Sequence, residues 1–466
     1  MIQYLFCLGL CMFPGVMLAQ GDTATLNVEQ VLEIVRQHHP TVKQANINIA
    51  KSDAGISIAR GAFNPIISNI ISGKTLSDTT YYDYLHPNIT IPTWFGIEVT
   101  AGVENLTGDR LNPSQTVGQS SYIGVSIPLL KNLLMDKRRA YLQQSKVYNE
   151  MAFTEQQALV NTILMDAAVQ YWEWVNAYQY FEIIDQNLTI SRQRFELVKK
   201  AFQNGERPAI DTLEAMSQYQ SFEFLKNESW LKFQNEGLAL SVFLWQADNI
   251  PYQLPENITP QQGWDNEANM QMFTLDLAQL LDYARQFHPE LQLYNQKLTI
   301  LGIDQKLKFQ DLLPTLDFSY NHLSKGYNAF ASDGLLFQDN YQYGLKLEMP
   351  IPFSQGRGEY KMAKLRIEET VIAQSQKTVN IELKVRNYFN EYLTLKNQIQ
   401  LQRDMLTNYE NLFLAEEALF QNGESSLFLI NSRENKVLEN QRKLIELKTR
   451  YLKTIYGLQW SSGLLR

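Results

Sequence analysis

Hydrophobic and polar residues follow two different periods along this chain, and the period changes at prolines. Short amphipathic stretches run up to the His-Pro pairs at 39–40 and 288–289, and a helical pattern of about 20 residues follows each pair. Proline suits the first turn of a helix because its missing N–H needs no partner there. Pro65 and Pro314 then end the helical pattern, since the residue before a proline avoids the α conformation.

After Pro65 and Pro314 the period becomes two, which predicts half-buried strands. The alternating runs cover residues 97–104, 123–127, 316–321 and 341–349, and a weaker strand is expected at 66–72. Aromatic residues gather near the strand ends, and either a membrane interface or ordinary strand packing explains them. They are Tyr81, Tyr82, Tyr84, Trp94, Phe95, Tyr327, Phe330, Phe337 and Tyr341.

Strands of about 9–11 residues can cross a bilayer, but a sheet with open edges is not tolerated in lipid. We therefore expect about four crossing strands per chain, completed by partner chains. The first half shows three strand-like runs, although an even number must cross. Either the runs at 97–104 and 123–127 form one long bent strand, or one run lies outside the membrane.

Two very long helices are expected after the strands, because residues 136–204 and 359–422 contain neither glycine nor proline. At 1.5 Å per residue each helix would span about 95–105 Å. Apolar residues at steps of three and four predict coiled-coil seams along both. The seam residues are Leu164, Ala168, Tyr171, Val175 and Tyr178, then Val385, Tyr388, Tyr392, Leu395, Ile399, Leu406, Tyr409 and Phe413, with Gln402 in the one missing place.

The same order of elements occurs twice, which indicates a duplicated unit of roughly 220 residues. Residues 26–65 are echoed by 275–314, and Phe-Gln-Asn-Gly-Glu at 202–206 recurs at 420–424, where the glycine suits a helix C-cap. The predicted organisation is a signal peptide at 1–19, a first repeat at 20–246, a linker at 247–273 and a second repeat at 274–466. The first repeat holds a strand pair in 66–128, a long helix at 130–204 and a return helix at 209–246; the second holds a strand pair in 315–350, a long helix at 356–422 and a return helix at 425–457.

Composition narrows the class of protein. The chain is 45% hydrophobic and 19% charged with a formal net charge of −8, so it is globular and lacks the basic blocks of a phosphate-binding surface. Cys7 and Cys11 lie within the apolar leader that ends near Ala19; lipidation at Cys11 ranks second to cleavage, because Leu10 is bulky for a lipoprotein site. Cleavage would leave no cysteine, which excludes disulfides, zinc thiolates and a cysteine nucleophile.

No catalytic or cofactor-binding pattern appears in the sequence. His39 and His288 precede prolines, which favours a helix-boundary role over a metal site, and the five histidines form no zinc signature. A Ser-His-Asp set and a phosphate-binding loop are also missing. We therefore expect no enzyme activity, no cofactor and no metal.

The doubled order of elements resembles the TolC family of outer-membrane efflux proteins over residues 22–460. The residues most similar to the family are Leu26–Pro40 with Leu275–Pro289, the strand starts after Pro65 and Pro314, Ser126-Ile127-Pro128-Leu129, Asp136-Lys137-Arg138-Arg139, and the segment from Gly205 to Asp211. The resemblance implies a mixed, mainly α fold, in which a homotrimer builds an α-helical barrel continuous with a 12-stranded β-barrel, each chain giving four strands. It also implies a place in the outer membrane with a periplasmic helical tunnel, and partnership with a periplasmic adaptor protein and an inner-membrane pump; no nucleic acid is expected.

In this family the helix tips close the periplasmic entrance, which here corresponds to residues 205–214 and 423–432, starting at Gly205 and Gly423. The family's usual aspartate pair falls on Leu429 and Ser432, and Ser425 replaces a frequent basic residue. Asp211 and Glu214 share one helical face of the first tip. We hypothesise that the acidic constriction is weaker or has moved to the first tip; the alternative is an ordinary solvated helix face.

The function expected from the sequence is a passive exit duct of a tripartite efflux or type I secretion system, gated at its periplasmic tips. The main alternative is an exported periplasmic coiled-coil scaffold or adaptor without a membrane barrel, which the alternating strands disfavour. A secreted hydrolase is a third class, disfavoured because no catalytic set is visible. The sequence does not identify the exported substrate.

Overall fold

A computed structural model describes residues 25–109, 116–255, 257–266, 275–328 and 337–465. Its helices are α1 (Val28–His38), α2 (Pro40–Gly61), α3 (Lys137–Gln203), α4 (Ala209–Ser241), α5 (Leu277–Phe287), α6 (Pro289–Gln310), α7 (Ser354–Gln421) and α8 (Leu427–Ser462). Its strands are β1 (Thr25–Leu26), β2 (Ile66–Leu76), β3 (Thr79–Pro92), β4 (Glu98–Thr107), β5 (Gly118–Pro128), β6 (Thr259–Pro260), β7 (Thr315–Lys325) and β8 (Tyr341–Glu348). The predicted signal peptide and Phe330 lie outside the described residues.

The two His-Pro pairs begin helices, as the sequence predicts. Nδ1 of His39 accepts a hydrogen bond from the backbone N–H of Thr41 at 3.2 Å, and Nδ1 of His288 accepts one from Glu290 at the same distance. Each histidine is thus the N-cap of a helix whose first residue is proline. The predicted helix-boundary role of both histidines is confirmed.

His288 is the more buried of the two caps, and burial lowers its pKa to about 4, with the charges of Lys377 and Lys384 lowering it further and Glu290 opposing them. An unfolded histidine titrates near pH 6.5. Between pH 6.5 and pH 4 the unfolded chain therefore binds a proton that the folded chain excludes. The contribution of neutral His288 to stability is present above pH 6.5 and is lost as the pH falls through this window.

The long helices α3 and α7 have 67 and 68 residues; α3 begins at residue 137 where 130 was predicted, and α7 begins at 354 where 356 was predicted. The seam of α3 is buried at every predicted position. The predicted seam positions of α7 from Val385 to Gln402 are buried apart from Tyr388, which is half-buried like Leu406, Tyr409 and Phe413. Gln402 occupies the polar place in the second seam, and its Nε2 donates to Oδ1 of Asn440 on α8 at 2.8 Å. A buried polar pair of this kind fixes the register of two helices, because sliding would leave the amides unpaired.

One antiparallel sheet of six strands has the order β2-β3-β4-β5-β7-β8. The prediction of a strand pair in 66–128 is wrong, because this region forms four strands. The runs at 97–104 and 123–127 lie in β4 and β5, which are separate, paired strands and not one bent strand. The number of sheet strands per chain that the structure describes is therefore six, where the sequence led us to expect about four.

The strand that sequence analysis missed is β3, and Pro87 explains why. Proline has no N–H for a ladder hydrogen bond, so a proline inside a run argues against a strand. In the structure the register of β3 with β4 lapses at His86 and Pro87, while its register with β2 continues through both. At Pro87, β3 therefore keeps its pairing with β2 and loses only its pairing with β4.

Directly paired residues share a face and neighbours along a strand alternate, which gives the sheet one mainly apolar and one mainly polar face. Exceptions include Asn69, Asp83, Asn105, Gln119, Ser121, His322 and Ser324 on the mainly apolar face, and Ile66, Ile70, Leu106 and Leu323 on the mainly polar face. The register places the following residues on the apolar face: Ile67, Ile71, Leu85, Ile89, Ile91, Val99, Ala101, Val103, Ile123, Val125, Ile127, Leu316, Phe318, Tyr320, Tyr343, Leu345 and Leu347. The opposite face carries Ser68, Ser72, Tyr84, His86, Asn88, Thr90, Glu98, Thr100, Glu104, Ser120, Tyr122, Ser126, Asp317, Ser319, Asn321, Gln342, Lys346 and Glu348. Such a division suits a sheet with water on one side and a hydrocarbon environment on the other.

The chain divides into two compact units, and each draws on both halves of the sequence. Of the described residues, the first unit comprises those within 25–35, 167–266 and 395–452, and the second those within 36–166, 275–394 and 453–465. In the first unit β1 pairs with β6 in parallel, and the predicted linker packs there through Trp264, whose ring centroid lies 5.6 Å from that of Trp172. The second unit contains the six-stranded sheet.

Candidate functional site

The first unit contains the two helix-ending turns that the sequence singled out, between α3 and α4 and between α7 and α8. Gly205 and Gly423 have φ of 80° and 76°, a region that favours glycine. The N–H of Glu206 donates to the carbonyl of Ala201 and that of Gly205 to Phe202, both at 2.9 Å. Residues 419–424 repeat this pattern of hydrogen bonds. The repeated Phe-Gln-Asn-Gly-Glu is therefore a helix-ending motif with an αL glycine, and the prediction of a C-cap glycine is confirmed.

Arg207 connects the two turns. Its guanidinium lies 4.0 Å from the centre of the Phe420 ring and donates to the Phe420 carbonyl at 3.3 Å. The same guanidinium forms an ion pair with Asp211 at 3.5 Å. A cation over an aromatic face contributes about 0.5–2 kcal/mol, depending on burial. One side chain thus holds the second turn against the first while compensating the charge of Asp211.

A small apolar cluster lies beneath this contact. Val198, Ala215 and Leu427 are buried together, and Phe195 and Phe420 pack against them. Phe420 is therefore half-buried in the bundle, whereas Phe202, its counterpart in the first turn, is 43% exposed. The two copies of the motif share their backbone geometry but not their packing.

The predicted acidic residues of the first tip both have partners. Asp211 is half-buried and paired with Arg207, and Oε1 of Glu214 accepts a hydrogen bond from Nδ2 of Asn431 at 3.1 Å. The structure thus brings Asp211 and Glu214 to the cluster formed by the two turns. Each carboxylate already has a donor, which weakens an acidic constriction built from them.

Of the three predicted side chains of the second tip, Ser425 is hydrogen-bonded, whereas Leu429 and Ser432 are exposed. Ser425 donates to Oε1 of Glu416 at 2.5 Å, and Arg433 lies 3.7 Å from Oε2 of the same carboxylate. Leu429 therefore puts an apolar side chain, 42% exposed, on the surface of α8.

The group that sequence analysis missed is a buried ion pair between α3 and α8. Both terminal nitrogens of Arg194 lie 2.9 Å from the two carboxylate oxygens of Glu434, and the side chains are only 14% and 5% exposed. Gln218 on α4 donates to Glu434 at 3.3 Å and to Asn435 at 3.0 Å. Three helices thus meet at one carboxylate. Since Arg194 and Glu434 are 240 residues apart in sequence, no local pattern could have paired them.

A hydrogen-bond network on the polar face of the sheet belongs to the second unit. Tyr84 donates to Glu104 at 3.1 Å, and Nε2 of His86 lies 3.0 Å from the hydroxyl of Tyr122, two strands away. Gly102 on the intervening strand makes this possible, because a Cβ there would lie 2.8 Å from the Tyr122 ring. The polar face is therefore tied together across β3, β4 and β5.

The described residues contain neither a cluster of metal ligands nor a helix that could span a membrane. No group of three or more histidine, cysteine, aspartate or glutamate side chains is placed to hold a metal ion. Within the same residues, no helix is both long enough and apolar enough to span a membrane.

Comparison with known proteins connects this geometry to one family. Residues 280–463 match the family model described as outer membrane efflux protein. The fold is similar to that of CusC, with a TM-score of 0.66 and 15% identity over 96% of this chain and 95% of that one. It is also similar to the Campylobacter jejuni CmeC outer membrane channel (TM-score 0.62, 16% identity, 94% and 86% covered) and to the Vibrio cholerae outer membrane protein VceC (0.63, 15%, 94% and 96%). No match is found among curated protein sequences.

Proposed function

We propose that the chain is a member of the outer membrane efflux protein family, whose model matches residues 280–463, and that it forms a homotrimeric, passive exit duct gated at its periplasmic tips. The family is one of channels and not of enzymes. The duct would lie in the outer membrane, with its helices forming a periplasmic tunnel. A periplasmic adaptor protein and an inner-membrane pump would complete the tripartite system.

One observation carries this proposal: the six-stranded sheet has an apolar and a polar face and ends at open edges. In a periplasmic coiled-coil scaffold the apolar face of the sheet would be exposed to water, which is unfavourable. Ile67, Leu345 and Leu347 on that face are 81%, 63% and 67% exposed in the single chain. Lipid on the apolar side and a water-filled lumen on the polar side account for both faces.

The helix tips supply the proposed gate. Arg207 and the Arg194–Glu434 pair hold α3, α4, α7 and α8 together near the two turns. We propose that an adaptor opens the entrance by binding a state in which these contacts are broken. Substrate would then leave by diffusion, without covalent chemistry.

An acidic site for cations is a separate part of this proposal. It would involve Asp211 and Glu214 and be weak, since Arg207 and Asn431 already occupy these carboxylates. Replacing both acids with alanine should reduce any block by divalent cations. If conductance and cation block are unchanged in that variant, the acids belong to an ordinary helix surface.

The test of the function is single-channel recording of detergent-purified, full-length protein in a planar bilayer. Stable unitary current steps are expected, with and without added divalent cations. Protein that is folded and trimeric but never inserts would overturn the duct and favour the periplasmic scaffold. Blank assays for hydrolase activity are expected from the same preparation.

A further inference from the structure

The two edge strands of the sheet have no second neighbour among the described residues. β2 pairs only with β3, and β8 pairs only with β7. Along β2 every residue except Ser72 is exposed to solvent, and along β8 every residue except Gly344 is. A long, apolar, uncovered edge is a template for pairing with another chain, and in lipid its free N–H and C=O groups would be costly.

The two edges are complementary in direction. All five pairings of the sheet are antiparallel, so the first and last of its six strands run in opposite directions. When β8 of one copy meets β2 of the next, the new pair is therefore antiparallel like the others. An odd number of strands would have produced a parallel seam.

The faces of the two edges also agree. Ile67 and Ile71 of β2 share the mainly apolar face with Leu345 and Leu347 of β8, whereas Ser68 shares the mainly polar face with Lys346, together with Ile66 and Ile70. Joining the edges of two copies thus continues the apolar side chains of Leu345 and Leu347 with those of Ile67 and Ile71. A pairing shifted by one residue would bring lysine to the apolar side.

Side-chain hydrogen bonds connect the hairpin of β2 and β3 to the neighbouring strands of the sheet. Ser68 donates to Asn88 across the hairpin at 2.8 Å. Tyr84 and His86 of β3 then reach Glu104 on β4 and Tyr122 on β5. Because these contacts lie on the polar face, the hairpin continues the same two-sided wall as β4, β5, β7 and β8.

From these observations, and resting on the proposed trimeric duct, we propose that β8 of each copy pairs with β2 of its neighbour, so that the wall has eighteen strands instead of twelve. One copy alone supplies six, which is fewer than the eight of the smallest single-chain barrels. Three copies give eighteen, which is within the observed range. Because barrel diameter grows roughly linearly with strand number, this pore wall would be about 1.5 times as wide as one of twelve strands.

Disulfide cross-linking in the full-length trimer tests the seam. Cys7 and Cys11, the two native cysteines, are first replaced with serine. Lys346→Cys is then combined, one at a time, with Ser68→Cys, Ile70→Cys or Ser72→Cys, which lie on the same face of β2 at successive levels. Facing Cβ atoms in an antiparallel pair lie about 4.5–5.5 Å apart, so oxidation should link most chains of at least one variant into covalent dimers and trimers.

The matched control is Lys346→Cys with Thr100→Cys, since Thr100 lies on the same face of β4, two strands from the proposed seam. It should remain uncross-linked. If Thr100→Cys links to Lys346→Cys and no β2 variant does, the wall has twelve strands, the hairpin lies outside it and this inference is wrong, while the duct stands. If the cysteine-free protein is folded but shows no trimer and no unitary conductance, the proposed function fails instead.

A strand count from an electron density map of the trimer in lipid nanodiscs gives an answer that does not depend on cysteine variants. Eighteen strands with β2 beside β8 of the next copy support the inference. Twelve strands in a closed trimer refute it and leave the proposed function intact.

Discussion

Removing the charge of Arg194 tests how firmly the helix tips are held. Its partner Glu434 is only 5% exposed and accepts two hydrogen bonds of 2.9 Å from the guanidinium. Arg194→Met keeps an apolar stem but leaves a buried carboxylate with Gln218 as its remaining donor. Breaking one side of a buried ion pair costs about 3–5 kcal/mol, and we expect about 3 kcal/mol here because the arginine is still 14% exposed.

Hydrogen exchange of the detergent-solubilised, full-length protein measures this effect locally. A loss of about 3 kcal/mol corresponds to an increase of about a hundredfold in local opening. Backbone amides around Arg194, Gln218 and Glu434 should therefore exchange about a hundredfold faster in Arg194→Met. Amides of the six-stranded sheet should keep their wild-type rates.

The matched control is Lys443→Met, which removes an exposed ion pair from the same helix. Lys443 and Glu446 are 51% and 49% exposed, and such pairs contribute less than about 1 kcal/mol. Adding Glu434→Met to Arg194→Met should recover much of the protection, because no charge remains buried. The reasoning is refuted if Arg194→Met changes exchange no more than Lys443→Met does, or if the double variant exchanges faster than the single one.

Three further changes have defined outcomes. Arg207→Gln frees the carboxylate of Asp211, so block of single-channel current by divalent cations should strengthen; unchanged block would exclude this acid from the entrance. Between pH 7.5 and pH 5 the unfolding midpoint should fall more steeply in wild type than in His288→Asn, which retains a capping side chain but no group with a pKa of about 4; parallel slopes would contradict the burial argument. Gly102→Ala puts a Cβ 2.8 Å from a tyrosine ring and should lower stability by about 1–3 kcal/mol, measured by heat dissociation of the trimer. Gly55→Ala, with open space around it in α2, is the control and should be neutral or stabilising by up to about 1 kcal/mol.

Helices and turns could be predicted from the sequence because their signals are local. Proline after histidine marks the starts of α2 and α6, and an asparagine-glycine pair marks the ends of α3 and α7. The seam of α7 is visible as steps of three and four, and even its polar exception, Gln402, lies where the pattern places it. A period of 3.6 needs only neighbouring residues to be recognised.

The parts that could not be predicted depend on contacts distant in sequence or on local exceptions. β3 contains Pro87, which a sequence pattern treats as a strand breaker, yet one-sided pairing accommodates it. Asp211 and Glu214 were recognisable as a pair on one helical face, but their partners were not. Arg207 reaches Asp211 while resting on Phe420, and Asn431 comes from the second turn to Glu214.

The contacts at the tips set a lower limit on what a partner must do to open them. A movement that separates α3 from α8 breaks the Arg194–Glu434 pair, and one that parts the two turns removes Arg207 from Phe420. With about 3 kcal/mol for the ion pair and about 0.5–2 kcal/mol for the cation over the ring, these changes together cost about 3.5–5 kcal/mol. Shifting a two-state equilibrium from 1:99 to 99:1 requires about 5.5 kcal/mol of differential binding. If an adaptor opens the tips as proposed, one that binds the closed and open tips equally well opens nothing. To reverse a ratio of 99 closed to 1 open, it must bind the open tips about ten-thousandfold more tightly. Arg194→Met lowers that requirement, and a trimer carrying it should open without a partner more often than wild type does.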